Sequence, residues 1–174
     1  MDAYTFGFSN RAFEQSLAIL QGHGVERLLD IRTLPGSRHA PQYNLENLEV
    51  ELPKTGIEYV HLKALGGLRK PNKESQLNAA WRNASFRAYA DYMQTDEFRE
   101  ALDHAIELMK DKVCAFTCTE AVPWRCHRSL VADALVVRGY EVADLSSPTK
   151  ALPHKLTPFA RVDGTTITYP AEGA

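Results

Sequence analysis

Residues 112–145 read KVCAFTCTEAVPWRCHRSLVADALVVRGYEVADL and contain one complete strand–helix–strand unit. The apolar run 112–118 is typical of a buried strand, and the spacing of apolar residues predicts a helix over about 126–138 that stops at Gly139. Residues 141–145 predict the next strand. Because a helix that joins two strands usually connects parallel neighbours, this unit indicates a parallel sheet.

The rest of the chain continues the alternation of strands and helices. Ser9 is the expected N-cap of the helix 11–22, and Thr95 is the expected N-cap of the helix 96–110, since a hydroxyl satisfies a free first-turn amide. We therefore predict an α/β domain over residues 1–146, with a mostly parallel sheet flanked by helices. The additional predicted strands are 3–8, 25–31 and 57–62, and the additional helices are 11–22, 45–52, 79–93 and 96–110.

Residues 147–174 depart from this rhythm. The segment 147–158 is rich in proline, and Asp163-Gly164 lies between β-rich flanks, which is a hairpin signal. We predict a Pro-rich segment and a C-terminal β-hairpin attached to the α/β core.

Length and composition favour one ordinary globular domain. The chain has 174 residues, 44% hydrophobic residues and a formal net charge of -2. No apolar run approaches the roughly 18 residues of a spanning helix, and Met1-Asp2-Ala3-Tyr4 does not resemble a secretory signal. Three cysteines are a poor disulfide framework and fit a reducing compartment. We expect a cytoplasmic protein without a membrane partner, and the oligomeric state stays open.

Basic residues concentrate in three loops that follow predicted strands: 32–44, 63–73 and 120–128. Ligands of parallel α/β sheets bind beyond the carboxyl ends of the strands, where such loops converge. The single acid in these loops is Glu120, so we expect an anion site there, with phosphate as the most common choice. Solvated surface charge is the alternative. The basic residues are Arg32, Arg38, Lys63, Arg69, Lys70, Lys73, Arg125 and Arg128.

The segment from Cys118 to Arg128 carries the most reactive residue types. Cys118 ends a predicted strand and Cys126 begins a predicted helix, so both are expected to face one cleft. A helix N-terminus with neighbouring Arg and His residues favours the thiolate, which is the reactive form of cysteine. His127 is the candidate proton shuttle, and Glu120 is expected to orient it or to act as a base. Burial as core cysteines is the alternative, and for Cys114 it is the prediction.

Two known templates fit this segment poorly. The cysteine-dependent phosphatase loop needs an arginine six positions after its cysteine, but Trp124 stands there and Arg125 follows one step late. A zinc site of Cys118, Cys126 and His127 would lack a fourth ligand, and adjacent helical residues diverge by about 100°. No cofactor is predicted, and a metal ion held by fewer ligands stays open.

Asp30, Arg32 and the pair Gly66-Gly67 are further candidates for substrate binding. Asp30 and Arg32 lie two positions apart at a strand end and so point to one face. Arg32 is expected to clamp an anion, while Asp30 fixes Arg32 or serves as an acid or base. The alternative is that the two residues form a local ion pair. The glycine pair permits close backbone approach. Five aromatic residues could stack on a base, although most are expected in the core or at the rim: Tyr43, Tyr59, Tyr89, Tyr92 and Trp124.

The order of these segments resembles the family called domain of unknown function 488 over residues 3–145. The resemblance implies an α/β fold, and the paired cysteines of the family imply an enzyme, although the resemblance names no reaction. Members often carry His or Tyr after the glycine of the first strand, where this chain has Phe8. Many members also carry His at the end of the last core strand, where this chain has Asp144-Leu145-Ser146. The matching segments are Thr5-Phe6-Gly7 with Ser9, Asp30-Ile31-Arg32 with Pro35 and Ser37, Pro41-Gln42-Tyr43-Asn44, Gly56-Ile57-Glu58-Tyr59, Leu65-Gly66-Gly67, Tyr92-Met93 with Thr95 and Phe98, Cys118 with Glu120, and Cys126-His127-Arg128.

Three functional hypotheses follow from these residues. The first is an enzyme that uses a reactive cysteine on an anionic, phosphate-bearing substrate such as a nucleotide or nucleic acid. The second is a non-catalytic module that binds nucleotides or nucleic acid through the basic loops. The third is a metal-binding protein that uses Cys118, Cys126 and His127. In the first, Cys118, Cys126, His127 and Glu120 are catalytic, and the substrate-binding residues are Asp30, Arg32, Arg38, Gly66, Gly67, Arg125 and Arg128.

Overall fold

A six-stranded sheet forms the centre of the computed structural model, which describes residues 1–173. The strand order is β3-β2-β4-β1-β5-β6, and all neighbours are parallel except β5 and β6. The predicted α/β fold with a mostly parallel sheet is therefore confirmed. The strands are β1 (Ala3–Gly7), β2 (Arg27–Asp30), β3 (Glu58–His61), β4 (Cys114–Cys118), β5 (Val142–Leu145) and β6 (Ala151–Pro153).

Helices cover both faces of the sheet and form two hydrophobic cores. Alternate residues of a strand point to opposite faces, so Leu28 packs in one core and Leu29 in the other. Ala115 and Phe116 divide in the same way. The helices are α1 (Phe13–Gly22), α2 (Leu45–Glu51), α3 (Ala84–Tyr92), α4 (Asp96–Leu108) and α5 (Arg128–Val137). No helix within residues 1–173 is long and apolar enough to cross a membrane.

The first residues of helices α1 and α3 differ from the prediction, and the capping residues explain the difference. Helix α1 begins at Phe13, and Ser9 lies outside it with a φ of 53°, so the prediction of Ser9 as its cap is wrong. Helix α3 begins at Ala84, because the side chain of Asn83 accepts the amides of Ser85 and Phe86. Thr95 caps α4 as expected, since its hydroxyl accepts the amide of Phe98 at 3.2 Å.

The C-terminal segment contains the predicted hairpin and one strand that the sequence did not indicate. Strands β7 (Arg161–Asp163) and β8 (Thr166–Thr168) pair antiparallel, and the turn uses Gly164 with a φ of 62°. Within the predicted Pro-rich segment, β6 joins the main sheet, where its edge position tolerates Pro153. The boundary between residues 146 and 147 stays a prediction, and Ala174 lies outside the described residues.

The C-terminal segment is also packed into the core. Ile167 and Tyr169 are buried among residues of α3, α4 and α5. The hydroxyl of Tyr169 donates to Asp133 at 2.8 Å, and His154 Nε2 contacts the same carboxylate at 2.7 Å. Ile167 and Tyr169 therefore anchor the C-terminal segment in this core.

Candidate functional site

A cleft of about 330 Å³ lies at the carboxyl ends of β2 and β4, which are neighbours in the sheet. This is the position at which parallel α/β sheets bind ligands. Seven of the candidate site residues line it: Arg32, Gly67, Cys118, Glu120, Arg125, Cys126 and His127. Four others do not line it: Asp30, Arg38, Gly66 and Arg128.

Cys118 and Cys126 form the floor of this cleft and are joined in a disulfide. Cys118 is the last residue of β4, and Cys126 lies two residues before α5, so the topology places both at one sheet edge. Their exposed fractions are only 3% and 5%. The expectation of a poor disulfide framework is therefore corrected. Cys114 is the free cysteine and is buried as predicted, and burial raises the pKa of its thiol to about 11.

Arg128 lies beneath the cleft and holds Cys118. Its guanidinium is fully buried and donates to Sγ of Cys118 at 3.0 Å and to the carboxylate of Asp144 at 3.2 Å. It also donates to the backbone carbonyls of Glu120 and Ala121. Burial lowers the pKa of Arg128, and the charge of Asp144 opposes this effect. All of its nitrogens have partners inside the protein, so this arginine supports the cysteine and does not reach a ligand in the cleft.

The first turn of α5 also supports Cys126. The backbone amide of Arg128 donates to Sγ of Cys126 at 3.5 Å. A helix N-terminus presents unpaired amides and a partial positive charge, both of which stabilise a nearby anion. Each sulfur of the pair therefore has its own donor, and both donors belong to one residue.

Contacts with Ile31 and Cys126 hold His127 in a single orientation. Its Nε2 contacts the backbone carbonyl of Ile31 at 2.7 Å, and a carbonyl only accepts, so Nε2 carries the proton. Burial lowers the pKa of His127 to about 4, so the ring is neutral at pH 7 and Nδ1 is unprotonated. Nδ1 lies 3.7 Å from Sγ of Cys126. Ile31, and not Glu120, therefore orients this histidine.

The glycine pair is explained by contacts with the neighbouring loop and helix. A Cβ atom at Gly67 would lie 2.7 Å from Nδ1 of His127, which is closer than real contacts allow. A Cβ atom at Gly66 would clash with Thr33. Gly67 thus gives the imidazole its place in the wall of the cleft, and the role of the glycine pair in substrate binding stays a prediction.

Asp30 and Arg32 form the local ion pair that the sequence left as an alternative. Nε and Nη2 of Arg32 donate to the two oxygens of Asp30 at 2.9 and 2.7 Å, and the hydroxyl of Tyr59 donates to Asp30 at 2.6 Å. The guanidinium of Arg32 also lies 5.1 Å from the ring centre of Phe8, which stacks on Tyr43. Phe8 therefore takes part in packing below an arginine at the edge of the cleft.

The remaining basic residues are divided between structure and solvent. Arg69 lies over the ring of Tyr92 at 3.6 Å and donates to backbone carbonyls of its own loop. Arg38 is exposed away from the cleft. Arg125 is exposed on its rim, and within residues 1–173 its guanidinium has no hydrogen bond or ion pair. The predicted basic cluster therefore contributes two arginines to the cleft, of which Arg125 is free.

Some residues of the site had no clear signal in the sequence. Ser85 and Phe86 line the cleft because α3 begins there, far from the cysteines along the chain. Asp144 is the partner of Arg128, and its neighbour Thr5 donates to it at 2.7 Å. The position of both at adjacent strands β1 and β5 follows from strand pairing, which the sequence alone does not provide.

No group of three or more His, Cys, Asp or Glu residues in the part of the chain that the structure describes could hold a metal ion. Sulfur atoms joined in a disulfide do not ligate as thiolates. The hypothesis of a metal site at Cys118, Cys126 and His127 therefore gains no support from this geometry.

Comparison with known proteins identifies one family. No curated protein and no solved structure is significantly similar to the chain. The family described as "Domain of unknown function DUF488" matches residues 12–135, which span α1 to α5 and include both cysteines. The match covers more than half of the chain, and the protein therefore belongs to this DUF488 family.

Proposed function

We propose that this protein is an enzyme that acts on an anionic, phosphate-bearing substrate with a thiol of the pair Cys118 and Cys126. One observation carries the proposal. Both sulfur atoms lie at the floor of a cleft at the sheet edge, and the rim of the same cleft carries the partner-free guanidinium of Arg125. A reactive group and an anion-binding group thus face the same space.

The working form in this proposal is the dithiol. A dithiol reductant opens the disulfide by exchange: it gives up two electrons and two protons, becomes a disulfide itself, and leaves two thiols on the protein. Arg128 then stabilises a thiolate at Cys118, and the first amide of α5 does so at Cys126. Nδ1 of His127 lies 3.7 Å from Sγ of Cys126 and accepts the thiol proton only in transit, because a ring with a pKa of about 4 gives the proton up again at pH 7.

The substrate anion is bound at the rim in this proposal. Arg125 provides the free charge, and Arg32 provides a fixed positive edge although Asp30 neutralises part of it. Glu120 is exposed at the rim and serves as a second proton-carrying group. Gly67 shapes the wall, while Asp30, Gly66 and Arg128 position other residues.

Protection from alkylation tests this proposal. The reduced Cys114→Ser protein is treated with iodoacetamide with and without millimolar inorganic phosphate. Phosphate is expected to slow modification of Cys118 or Cys126 several-fold, because a bound anion covers the floor of the cleft. Arg125→Gln should lose the protection, while Arg99→Gln, an exposed arginine on α4, should keep it. Absence of protection, or equal protection in Arg125→Gln, contradicts the proposal.

A non-catalytic binding module is the second candidate, and the disulfide favours it. With the sulfurs joined and nearly excluded from solvent, the cleft holds no free nucleophile. In that case a Cys118→Ser/Cys126→Ser protein keeps full affinity for its ligand. The affinity of a module that binds many phosphates falls steeply with salt, whereas that of a pocket for one phosphate changes little.

A further inference from the structure

A second cleft adjoins the cysteine cleft and is lined by aromatic and basic side chains. It has a volume of about 650 Å³, which is in the range of small-molecule sites. Trp124 is 65% exposed and Phe159 is 42% exposed, and exposed apolar side chains that form one patch are typical of interaction sites. The lining of this cleft includes Trp81, Arg82, Phe86, Trp124, Arg125 and Phe159.

The aromatic wall of this cleft is built around Trp81. Its ring packs edge-on against Phe159 at 4.9 Å and against Phe86 at 5.1 Å between ring centres. Within residues 1–173, its Nε1 is the one buried side-chain nitrogen or oxygen without a hydrogen-bond partner. An unpaired buried donor is unfavourable, and no described side chain of this wall supplies the missing acceptor.

The charge of the cleft is positive. Arg82 and Arg125 are exposed, and neither has a hydrogen bond or ion pair with the described residues 1–173. No acidic residue of that part of the chain lines the cleft. In contrast, the guanidinium groups of Arg32 and Arg128 donate their hydrogen bonds to carboxylates and backbone carbonyls. The cleft therefore offers free guanidinium groups next to ring faces.

The two clefts are neighbours and share part of their lining. Phe86 and Arg125 line both of them. Trp124 and Arg125 belong to the short 3-10 turn Pro123–Arg125, which lies between the two cysteines of the disulfide. The covalent link thus fixes the turn that presents both side chains, and it places a ring-binding surface directly beside the cysteine floor.

We propose that the aromatic cleft binds the base of a nucleotide unit, with its phosphate on Arg125 and Arg82. The base stacks on the exposed rings, because every base has a π-face and stacking does not require a particular sequence. A purely apolar ligand would leave the two guanidinium groups unused, and a bare phosphate would leave the rings unused. The inference rests on the proposed function and assigns the substrate class: a nucleotide, free or within a single strand.

Tryptophan fluorescence tests this inference directly, because both tryptophans of the chain line the cleft. The full-length protein is titrated with adenosine monophosphate and with a mixed-sequence single-stranded oligonucleotide. Saturable quenching by either ligand supports the inference, and the relative affinities distinguish a free nucleotide from a strand. Adenosine and ribose 5-phosphate, which each lack one half of the ligand, should bind at least tenfold more weakly than the monophosphate.

Variants of exposed residues complete the test without endangering the fold. Trp124→Ala and Arg125→Gln should each weaken binding by roughly tenfold or more, Trp124→Phe should retain most of the affinity, and Arg99→Gln should leave it unchanged. Unchanged binding in Trp124→Ala, or equal binding of ribose 5-phosphate, overturns the inference. If nucleotides do not bind but phosphate still protects the cysteines, this inference alone fails. If nucleotides bind but neither thiol is reactive, the inference stands and the enzyme proposal fails.

Discussion

The guanidinium of Arg128 lies 3.0 Å from the sulfur of Cys118, and both side chains are excluded from solvent. This contact joins the end of β4 to the first turn of α5, and Asp144 on β5 completes it from the other side. A positive charge at this position is costly to bury but stabilises a thiolate once the disulfide is opened. The contact therefore links the stability of the domain to the chemistry of its cleft.

The first prediction concerns the buried pair of Arg128 and Asp144. Arg128→Met leaves the Asp144 carboxylate buried without its cation, so we expect a loss of about 3–5 kcal/mol in the free energy of unfolding. Arg128→Met/Asp144→Asn removes both charges, keeps an acceptor for Thr5, and should be more stable than the single variant by at least about 1 kcal/mol. Urea unfolding measures both. Equal stability of the single and the double variant contradicts the coupling of Arg128 to Asp144. As a control, Arg99→Met should change the free energy of unfolding by no more than about 0.5 kcal/mol.

The second prediction concerns Gly67. Gly67→Ala forces the imidazole of His127 away from its place, so we expect a loss of about 1–3 kcal/mol in the free energy of unfolding. Gly36→Ala is the matched control, because a Cβ atom there meets nothing within 4 Å. Its effect should be neutral or slightly stabilising. If thermal or urea unfolding shows the same change for both variants, the close approach at Gly67 is not what holds His127.

The third prediction is a pH dependence that His127 produces. Burial lowers the pKa of His127 to about 4, below the ordinary value of about 6.5. Between these values the unfolded chain binds a proton that the folded chain does not bind. The free energy of unfolding should therefore fall as the pH falls from about 6.5 to about 4, by about 3 kcal/mol in total.

Replacement of the histidine isolates this contribution. His127→Gln should be less sensitive to pH over this window than the wild type, whereas His104→Gln on the exposed face of α4 should behave as the wild type does. The measurement is urea unfolding at several pH values. A wild-type pH dependence that persists unchanged in His127→Gln would contradict the assignment.

The fourth prediction concerns the disulfide. It closes a short loop, with a sequence separation of eight residues, and such a loop is expected to contribute about 2–3 kcal/mol of stability. Addition of a dithiol reductant should therefore lower the thermal midpoint of the wild type. The Cys118→Ser/Cys126→Ser protein should show no effect of the reductant. If the reductant leaves the thermal midpoint of the wild type unchanged, the two cysteines are not bonded in solution.

The alternation of strands and helices could be predicted from the sequence because it depends on local patterns. The runs 112–118 and 141–145 became β4 and β5 with small changes at their ends. Strand β6 was missed, since its three residues are exposed and include Pro153, which does not resemble a strand. The start of α3 was placed too early, because Asn83 and not the apolar pattern sets it.

The site was predicted in location more accurately than in detail. Loops after parallel strands had to converge, so Arg125, Cys126 and His127 could be placed near Cys118. Which arginine is free and which is buried depends on distant partners. Arg128 pairs with Asp144 across α5 and β5, and Arg32 pairs with Asp30. Neither the disulfide nor the carbonyl of Ile31 that orients His127 has a signature in the sequence.

The alkylation rate of the reduced cysteines as a function of pH decides whether this cleft activates a thiol. In the Cys114→Ser background, iodoacetamide reacts with the thiolate alone, so the midpoint of the rate profile reports thiolate formation. We predict that at least one of Cys118 and Cys126 reaches half of its maximal rate at least one pH unit below the free-cysteine value of about 8.5. If both profiles have midpoints at or above about 8.5, the cleft does not activate a thiol, and the account of this site as a cysteine-dependent enzyme is contradicted.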